Sequence, residues 1–357
     1  MKFASLANVA QLAEFDELID VRSPAEFSID HAPGAINLPV LDDDERARVG
    51  TLYKQASSFD AKKIGAALVA RNIATHIETE LISRQKHWRP LVYCWRGGNR
   101  SASLAHVLQK IGWDAHTLDG GYKAYRRHVV AEIDRLVPLF RYCVVCGPTG
   151  SGKSRLLQAL ARQGGQVLDL EDLAAHRGSV LGNIPDQPQP AQKLFESRVW
   201  SVLQGFDLRR PIFVEAESKK IGVVRVPECL IGRMWQSACV NVEVPMTGRV
   251  AFLKREYAHF FVDFPDLKEK LNCLNSLYGA KKIADWLIYA EQQDWDALVE
   301  TLLKDHYDPA YRRSTLRHYP SLGTAPILRT TDVDQHSMEQ LASNLLAMES
   351  FASGATA

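Results

Sequence analysis

One cysteine stands where a predicted strand gives way to a predicted helix. The apolar run at residues 91–93 predicts a buried strand, the apolar periodicity of residues 101–111 predicts a helix, and Cys94 lies between them. Backbone N–H groups near a helix N-terminus bind anions, and neighbouring arginines lower the pKa of a thiol. We therefore predict that Cys94 is a reactive thiolate rather than a buried apolar cysteine. The expected catalytic and anion-binding residues of this loop are Cys94, Arg96, Gly97, Gly98, Arg100 and Ser101.

Three further segments strengthen the interpretation of this loop. Residues 20–27 read D-x-R-x-x-x-E-F, residues 31–37 read H-x-x-G-A-x-N, and a Gly-Gly-Tyr sequence occupies residues 120–122. Together with the cysteine loop, they resemble the rhodanese family, which carries sulfur as a persulfide on a single cysteine. The loop runs over seven residues from Cys94 to Arg100, where sulfurtransferases usually have six. The longer loop is similar to that of the related cell-cycle phosphatases, and it predicts room for a donor bulkier than a sulfane sulfur.

A second anion-binding loop begins the other half of the chain. Residues 141–146 predict a strand, residues 147–154 match G-x-x-x-x-G-K-[ST] in full, and residues 155–163 predict a helix. In such a P-loop the backbone N–H groups hold a diphosphate, the lysine reaches the terminal phosphate, and the final hydroxyl can ligate Mg²⁺. The residues expected to bind the diphosphate are Gly147, Thr149, Gly150, Ser151, Gly152, Lys153 and Ser154.

Acidic and basic side chains follow the next predicted strands of this half. Glu215 ends the apolar run at residues 211–215 and is our first choice for a carboxylate that holds Mg²⁺ together with Ser154. Asp169 and Glu217 are alternatives, although Glu217 could instead pair with a neighbouring lysine, Lys219 or Lys220, at the surface. His176 and Arg177 follow the strand predicted at residues 166–170. Together with Asp169 and the other acids of this segment, they could contact a substrate, or the segment could be a capped surface helix.

Composition and pattern predict two domains. Alternating strands and helices indicate a parallel-sheet domain over residues 1–135 and an α/β P-loop domain over residues 136–357, the latter with an appended helical region at about 256–320. The aromatic residues of that helical region are expected to be mostly core. An amphipathic helix at 128–140 is predicted to join the two halves.

Charge, cysteine use and apolar runs limit the class of protein. The net charge of +1 gives no overall sign of nucleic-acid binding, so an RNA site would have to be local. Six cysteines in 357 residues do not form a disulfide framework, and Cys143 and Cys146 lie in one predicted strand, where they are expected to pack in the core. We find no apolar run of membrane-spanning length and no signal peptide at the first residues. The chain is therefore predicted to be cytoplasmic, with no membrane partner.

The combination of these motifs resembles the bacterial tRNA 2-selenouridine synthase family. The resemblance rests on residues 93–101, the P-loop, residues 169–179, the Pro-Gln-Pro sequence at 188–190 and residues 214–218. It implies that the 2-thiouridine at the wobble position of tRNA is S-geranylated by geranyl diphosphate. Selenium from selenophosphate then replaces the geranylthio group and leaves 2-selenouridine.

The family resemblance also implies roles for the two loops. Cys94 would carry selenium as a perselenide, Arg96 and Arg100 would hold the phosphate of the donor, and the P-loop would bind geranyl diphosphate instead of, or as well as, a nucleotide. It further implies a tRNA partner and a selenophosphate synthetase as donor supplier. No tightly bound cofactor is expected, although Mg²⁺ could bind.

Two other classes of function stay open at this point. A cysteine-dependent phosphatase would use the seven-residue loop to form a phosphocysteine, but it leaves the P-loop unexplained. A nucleotide-binding protein with a rhodanese sensor module would bind nucleotide without turnover.

Overall fold

A computed structural model of the protein describes residues 5–55, 57–178, 182, 184, 186–261 and 264–348. They divide into two units, one bounded by Met1–Glu132 and Pro190–Ser201 and the other by Ile133–Gln189 and Val202–Ala357. The sequence predicts that residues 190–201 belong to the second domain, whereas in the structure they belong to the first unit. The reason is tertiary, because the Ser197 hydroxyl donates a 2.7 Å hydrogen bond to the buried Asp30 carboxylate.

The first unit is built on a parallel sheet with the strand order β1-β5-β4-β2-β3. Its strands are β1 (Ser5–Ala7), β2 (Glu17–Asp20), β3 (Ile36–Asn37), β4 (Pro90–Tyr93) and β5 (His116–Leu118). The helices that connect or follow them are α1 (Pro24–Ile29), α2 (Asp43–Gln55), α3 (Ser58–His76), α4 (Asn99–Ile111) and α5 (Gly121–Leu136). Short 3₁₀- or π-helical segments lie at Val9–Glu14, Ile77–Leu81 and Val137–Leu139. Strand β4, which precedes Cys94, is fully buried in the middle of this sheet.

The helix predicted at residues 128–140 both begins and ends earlier in the structure. It is α5, which begins at Gly121 and ends at Leu136. Pro138 follows in a single 3₁₀ turn, because a proline cannot donate the backbone hydrogen bond that would continue an α-helix.

The second unit is built on another parallel sheet, with the strand order β12-β11-β6-β8-β7, and a short antiparallel hairpin, β9-β10. Its strands are β6 (Tyr142–Cys146), β7 (Gln166–Leu168), β8 (Ile212–Glu215), β9 (Lys220–Ile221), β10 (Val224–Arg225), β11 (Ala238–Glu243) and β12 (Ile327–Arg329). Cys143 and Cys146 are buried in β6, as the sequence predicts.

Helices account for most of the rest of this half of the chain. They are α6 (Lys153–Arg162), α7 (Leu170–Leu173), α8 (Gln192–Gln204), α9 (Glu228–Trp235), α10 (Met246–Glu256), α11 (Phe264–Asn272), α12 (Asn275–Glu291), α13 (Trp295–Leu302), α14 (Asp308–His318) and α15 (Gln335–Leu346). Helix α8 spans the boundary between the two units. Short 3₁₀- or π-helical segments lie at Ala258–Phe261, Leu303–Tyr307 and Pro320–Thr324. Within the described ranges, no helix is both long and apolar enough to cross a bilayer.

Among the described residues, the second unit has two large hydrophobic cores and a smaller one that includes part of α10. One lies between the sheet and helices α6 and α15, with Leu156, Leu160 and Leu341 among its members. The other is formed by helices α11 to α13 around the fully buried Trp286. The helical region is thus packed around its own core.

Candidate functional site

Cys94 follows β4, so it lies at the carboxyl edge of the first sheet, between β5 and β2. Its buried Sγ accepts hydrogen bonds from the Gly98 backbone N–H at 3.2 Å and from the Ser101 hydroxyl at 3.3 Å. Gly97 has a φ of +66°, and a Cβ atom there would lie 2.7 Å from the Leu118 carbonyl oxygen. A glycine is needed because the loop turns back tightly against β5.

Hydrogen bonds to the sulfur determine the acidity of Cys94. Burial acts to raise the pKa of the thiol. The hydrogen bonds from the Ser101 hydroxyl and from loop N–H groups, those of Arg96 and Gly98 among them, outweigh this effect and lower the pKa below its ordinary value. Cys94 is therefore more thiolate-like at neutral pH than an ordinary buried cysteine.

The two arginines of the loop have different environments. Arg100 donates from Nη1 to Glu26 Oε2 at 3.0 Å, and Arg46 forms a second ion pair with the same carboxylate. The Arg96 side chain is exposed at the loop surface. The structure therefore brings Gly98 and Ser101 to the sulfur, orients Arg100 through Glu26, and leaves Arg96 facing solvent. Glu26 is the acid of the D-x-R-x-x-x-E-F segment, so this motif could have indicated its role.

The pKa of Cys94 can be tested through its reactivity. We expect the rate of alkylation by iodoacetamide to reach its midpoint below the pH of an ordinary thiol, since the lowered pKa makes the thiolate available at lower pH. Ser101→Ala should slow alkylation at pH 7 by about tenfold, the effect of losing one hydrogen bond to a charged group. Ser103→Ala is the matched control, because that hydroxyl donates to the Asn99 carbonyl on the exposed side of α4. Equal rates for both variants would contradict this account of the thiolate.

The P-loop follows β6 at the carboxyl edge of the second sheet, between β11 and β8. Thr149, Gly150, Gly152, Lys153 and Ser154 line a pocket with a cavity volume of about 580 Å³. Gly150 has a φ of +82°, and a Cβ atom there would approach Leu253 Cδ1 to 2.9 Å. The loop thus turns closely under α10, and its residues present backbone to the pocket.

Not all of the predicted loop residues face this pocket. Gly147 and Ser151 are buried and lie outside its lining. The Gly147 N–H donates to the Tyr311 hydroxyl at 2.7 Å, which ties the start of the loop to helix α14. This contact joins residues 164 positions apart, so sequence spacing gave no sign of it.

Lys153 places a positive charge in the pocket beside its carboxylates. Its Nζ lies 3.2 Å from Glu215 Oε1. Burial acts to lower the pKa of the Lys153 ammonium, but the carboxylate of Glu215 and other nearby groups outweigh this effect and raise the pKa above its usual value. Lys153 therefore stays protonated and able to bind a phosphate.

Three glutamates meet beside Ser154. Ser154 Oγ lies 2.9 Å from Glu215 Oε2 and 3.1 Å from Glu171 Oε2, and oxygens of Glu171, Glu215 and Glu217 lie within 4.8 Å of one another. Burial and the Glu215 charge raise the pKa of Glu217 to about 8, and the same causes raise the pKa of Glu171 well above its usual value. Carboxylate and hydroxyl oxygens are the ligands that Mg²⁺ prefers, so this donor set fits that ion.

The structure differs from the sequence predictions at two of these acids. Glu217 is buried in the cluster, Lys219 pairs with Glu228 at 3.1 Å, and Lys220 is exposed. The alternative that Glu217 pairs with Lys219 or Lys220 at the surface is therefore wrong. Glu171 is a site residue that the sequence analysis does not single out. Glu171 could have been predicted from its position, because it follows β7, and β7 pairs with β8, the strand that ends at Glu215.

The remaining predicted residues line the same pocket. Asp169 caps α7 by accepting from the Asp172 N–H at 3.0 Å, and burial raises its pKa to about 6. His176 is buried, and its Nδ1 accepts from the Gly178 N–H at 3.1 Å. Arg177 donates to the Glu256 carbonyl and lies 5.2 Å over the Tyr257 ring. Ser179 lies outside the described residues. Asp169 does cap a helix, but it also lines the pocket, so the segment is not merely a capped surface helix. Asp169 does not belong to the cluster of Glu171, Glu215 and Glu217.

Comparison with known proteins identifies a family for each of two parts of the chain. Residues 5–128 match the rhodanese-like domain family, and residues 140–277 match the AAA domain of tRNA 2-selenouridine synthase. The N-terminal half is therefore a rhodanese domain, and a P-loop domain follows it, as the sequence predicts.

Several curated relatives are named tRNA 2-selenouridine synthase. The protein from Nitrosomonas europaea is 38% identical over 67% of this chain, and the matched region spans 63% of that relative's length. The protein from Marinobacter nauticus is 32% identical, with 82% of this chain and 87% of the relative covered. The protein from Salmonella arizonae is 34% identical, with coverage of 83% and 88%. The chain belongs to the tRNA 2-selenouridine synthase family.

Proposed function

We propose that this protein converts the wobble 2-thiouridine of tRNA into 2-selenouridine in two steps, one at each anion-binding loop. The observation that carries the proposal is the P-loop pocket, in which Lys153 and a carboxylate cluster are placed to hold a diphosphate and its counter-ion. The low-pKa cysteine loop supplies the second site. The names of the relatives support the product.

The first step is an S-alkylation. The thiocarbonyl sulfur attacks C1 of geranyl diphosphate, the C1–O bond breaks, and its electron pair leaves with the diphosphate. The N3 proton of the base goes to solvent, which gives S-geranyl-2-thiouridine. Lys153 and the P-loop N–H groups stabilise the negative charge that develops on the leaving diphosphate. The step matters because it turns a poor leaving group into a thiolate that can be displaced.

Ser154, Glu171, Glu215 and Glu217 are the residues that would hold Mg²⁺. The ion, when bound, would neutralise part of the diphosphate charge. Lys153 would then exchange its contact with Glu215 for one with a phosphate oxygen. Because Glu171 and Glu217 have raised pKa values, binding of a cation would release protons from the cluster.

The second step replaces sulfur by selenium. Selenium in selenophosphate is at the oxidation level of selenide, so its transfer to a thiolate as a perselenide would have to reduce phosphorus to phosphite or use an added oxidant. A balanced route keeps selenium reduced. The Cys94 thiolate attacks phosphorus, the P–Se bond breaks, and selenide leaves with the electron pair. Selenide then attacks C2 of the geranylated base and expels geranylthiolate, and water hydrolyses the phosphocysteine to phosphate.

This route differs from the perselenide that the family resemblance implies, and it uses the loop as it is built. A seven-residue loop whose N–H groups converge on the sulfur is suited to a phosphoryl group. Arg100, oriented by Glu26, and the exposed Arg96 would hold the phosphate oxygens. Cys94 is then a nucleophile toward phosphorus.

Mass spectrometry of wobble nucleosides tests the whole proposal. Purified protein and 2-thiouridine tRNA should give S-geranyl-2-thiouridine with geranyl diphosphate and Mg²⁺, and 2-selenouridine once selenophosphate is added. Unchanged 2-thiouridine in both incubations, with folded protein, would reject the proposal. Phosphate release from phosphoesters would then favour the phosphatase, and nucleotide binding without turnover would favour the sensor.

A further inference from the structure

An apolar slot opens from the phosphate pocket of the second unit. The two cavities share four wall residues, which are Thr149, Leu253, Tyr257 and Tyr307. Thr149 belongs to the P-loop itself. A ligand whose phosphates lie on that loop therefore reaches the mouth of the slot directly.

The inner walls of the slot are hydrocarbon and aromatic. They include four buried side chains and two half-buried ones: Phe260, Leu267, Leu298, Leu302, Phe261 and Val299. The sequence predicts that the aromatics of this region are mostly core. Phe260 is buried in the core, and the half-buried Tyr257 and Tyr307 pack against it while they also line the slot. Phe261 is half-buried and lines the slot as well. A nucleoside placed here would bury ribose hydroxyls and base edges against walls with few polar partners, which is unfavourable.

We infer that this slot binds the hydrocarbon chain of a prenyl diphosphate whose diphosphate is held by the P-loop. The inference rests on the proposed function and adds the subsite that selects the chain. The slot has a cavity volume of only about 50 Å³, against about 580 Å³ for the phosphate pocket. It therefore takes the distal part of the chain, while C1 stays in the larger pocket near Lys153. A donor with a single isoprene unit has no distal part to bury there.

Val299 offers a way to fill the slot without touching the P-loop. It is half-buried on α13, and Val299→Phe adds bulk to the wall. Asp296→Phe is the matched control, because Asp296 is exposed on the same helix and pairs with Lys254. The measurement is the Kd of the full-length protein for geranyl diphosphate, dimethylallyl diphosphate and inorganic diphosphate, each with Mg²⁺.

We expect the wild type to bind geranyl diphosphate about 100-fold more tightly than inorganic diphosphate, as burial of a few methylene groups allows. Dimethylallyl diphosphate should bind only slightly more tightly than inorganic diphosphate. Val299→Phe should lose most of the preference for geranyl diphosphate while its Kd for inorganic diphosphate changes by less than about twofold. Asp296→Phe should behave as the wild type.

The outcomes separate the slot from the function on which it rests. If the wild type binds neither diphosphate, the proposed function fails at its first step. If the wild type binds inorganic and geranyl diphosphate equally well, or if Val299→Phe keeps the full preference, the slot is not the chain-binding site and the P-loop role stands. If Val299→Phe also fails to bind inorganic diphosphate, that variant has misfolded. Phe261→Ser, which adds no bulk, then takes its place in the same comparison of Kd values.

Discussion

Lys153→Ala should slow S-geranylation by about 10²–10³-fold, the loss expected when one preorganised donor to a developing anion is removed. Lys153 is the P-loop's cation in the pocket, with Nζ 3.2 Å from Glu215 Oε1 and a raised pKa that keeps it charged. Without it, the leaving diphosphate faces the carboxylates of Glu171, Glu215 and Glu217 with one positive charge fewer. The rate is measured as S-geranyl-2-thiouridine formed per minute from 2-thiouridine tRNA.

The same variant should leave the second step intact. Pre-geranylated tRNA given to Lys153→Ala with selenophosphate should yield 2-selenouridine within about twofold of the wild-type rate, because Cys94 belongs to the other unit. Lys219→Ala is the control, since that lysine is exposed and pairs with Glu228. Removing Lys153 leaves buried carboxylates without their partner, so a thermal melt must accompany the assay. Normal geranylation by folded Lys153→Ala would mean that the P-loop serves another ligand.

Cys94→Ser should abolish selenation, with a loss on the order of 10³-fold or more, and should leave geranylation unchanged. A serine hydroxyl in this loop is a far weaker nucleophile than a thiolate whose pKa is lowered by hydrogen bonds. S-geranyl-2-thiouridine should therefore accumulate in the tRNA. Cys273→Ser, which alters an exposed cysteine, should have no effect on either step. Selenation by Cys94→Ser at the wild-type rate would show that the selenium step does not use this thiol.

The identity of the group on Cys94 can be read from the same reaction. Selenophosphate labelled with radioactive phosphorus should label the wild-type protein transiently, and the label should be absent from Cys94→Ser. Radioactive selenium should pass to tRNA without appearing on the protein. The reverse pattern would establish the perselenide and reject phosphoryl transfer. An isotopic label is needed because a phosphoryl group and a selenium atom add nearly the same mass.

Both anion-binding loops could be predicted from sequence because each is contiguous. A buried strand, a glycine-containing loop and a helix follow one another within some twenty residues around Cys94 and around Lys153. Local backbone conformation alone brings the loop N–H groups to the helix N-terminus, so no distant contact is needed. Glu215 was also predictable, because it ends a strand of a parallel sheet whose carboxyl edges meet.

The short and discontinuous features were not predictable in this way. Strand β1 has only three residues and one buried side chain, which is too little for a pattern to indicate. The assignment of residues 190–201 to the first unit depends on Ser197 meeting Asp30, 167 positions away. No periodicity carries that information.

The sequence by itself determined the fold of each half, the reactive cysteine and the phosphate-binding loop, since these depend on neighbours along the chain. Only the tertiary structure decided which carboxylates meet Ser154, that Tyr311 holds the start of the P-loop, and that helices α11 and α13 leave an apolar slot beside it. The strand order β12-β11-β6-β8-β7 determines which carboxylates meet Ser154, because it places the ends of β7 and β8 on the same side of the P-loop strand β6. Packing of the helical region around Trp286 sets the slot, and packing joins residues that sequence separation keeps far apart.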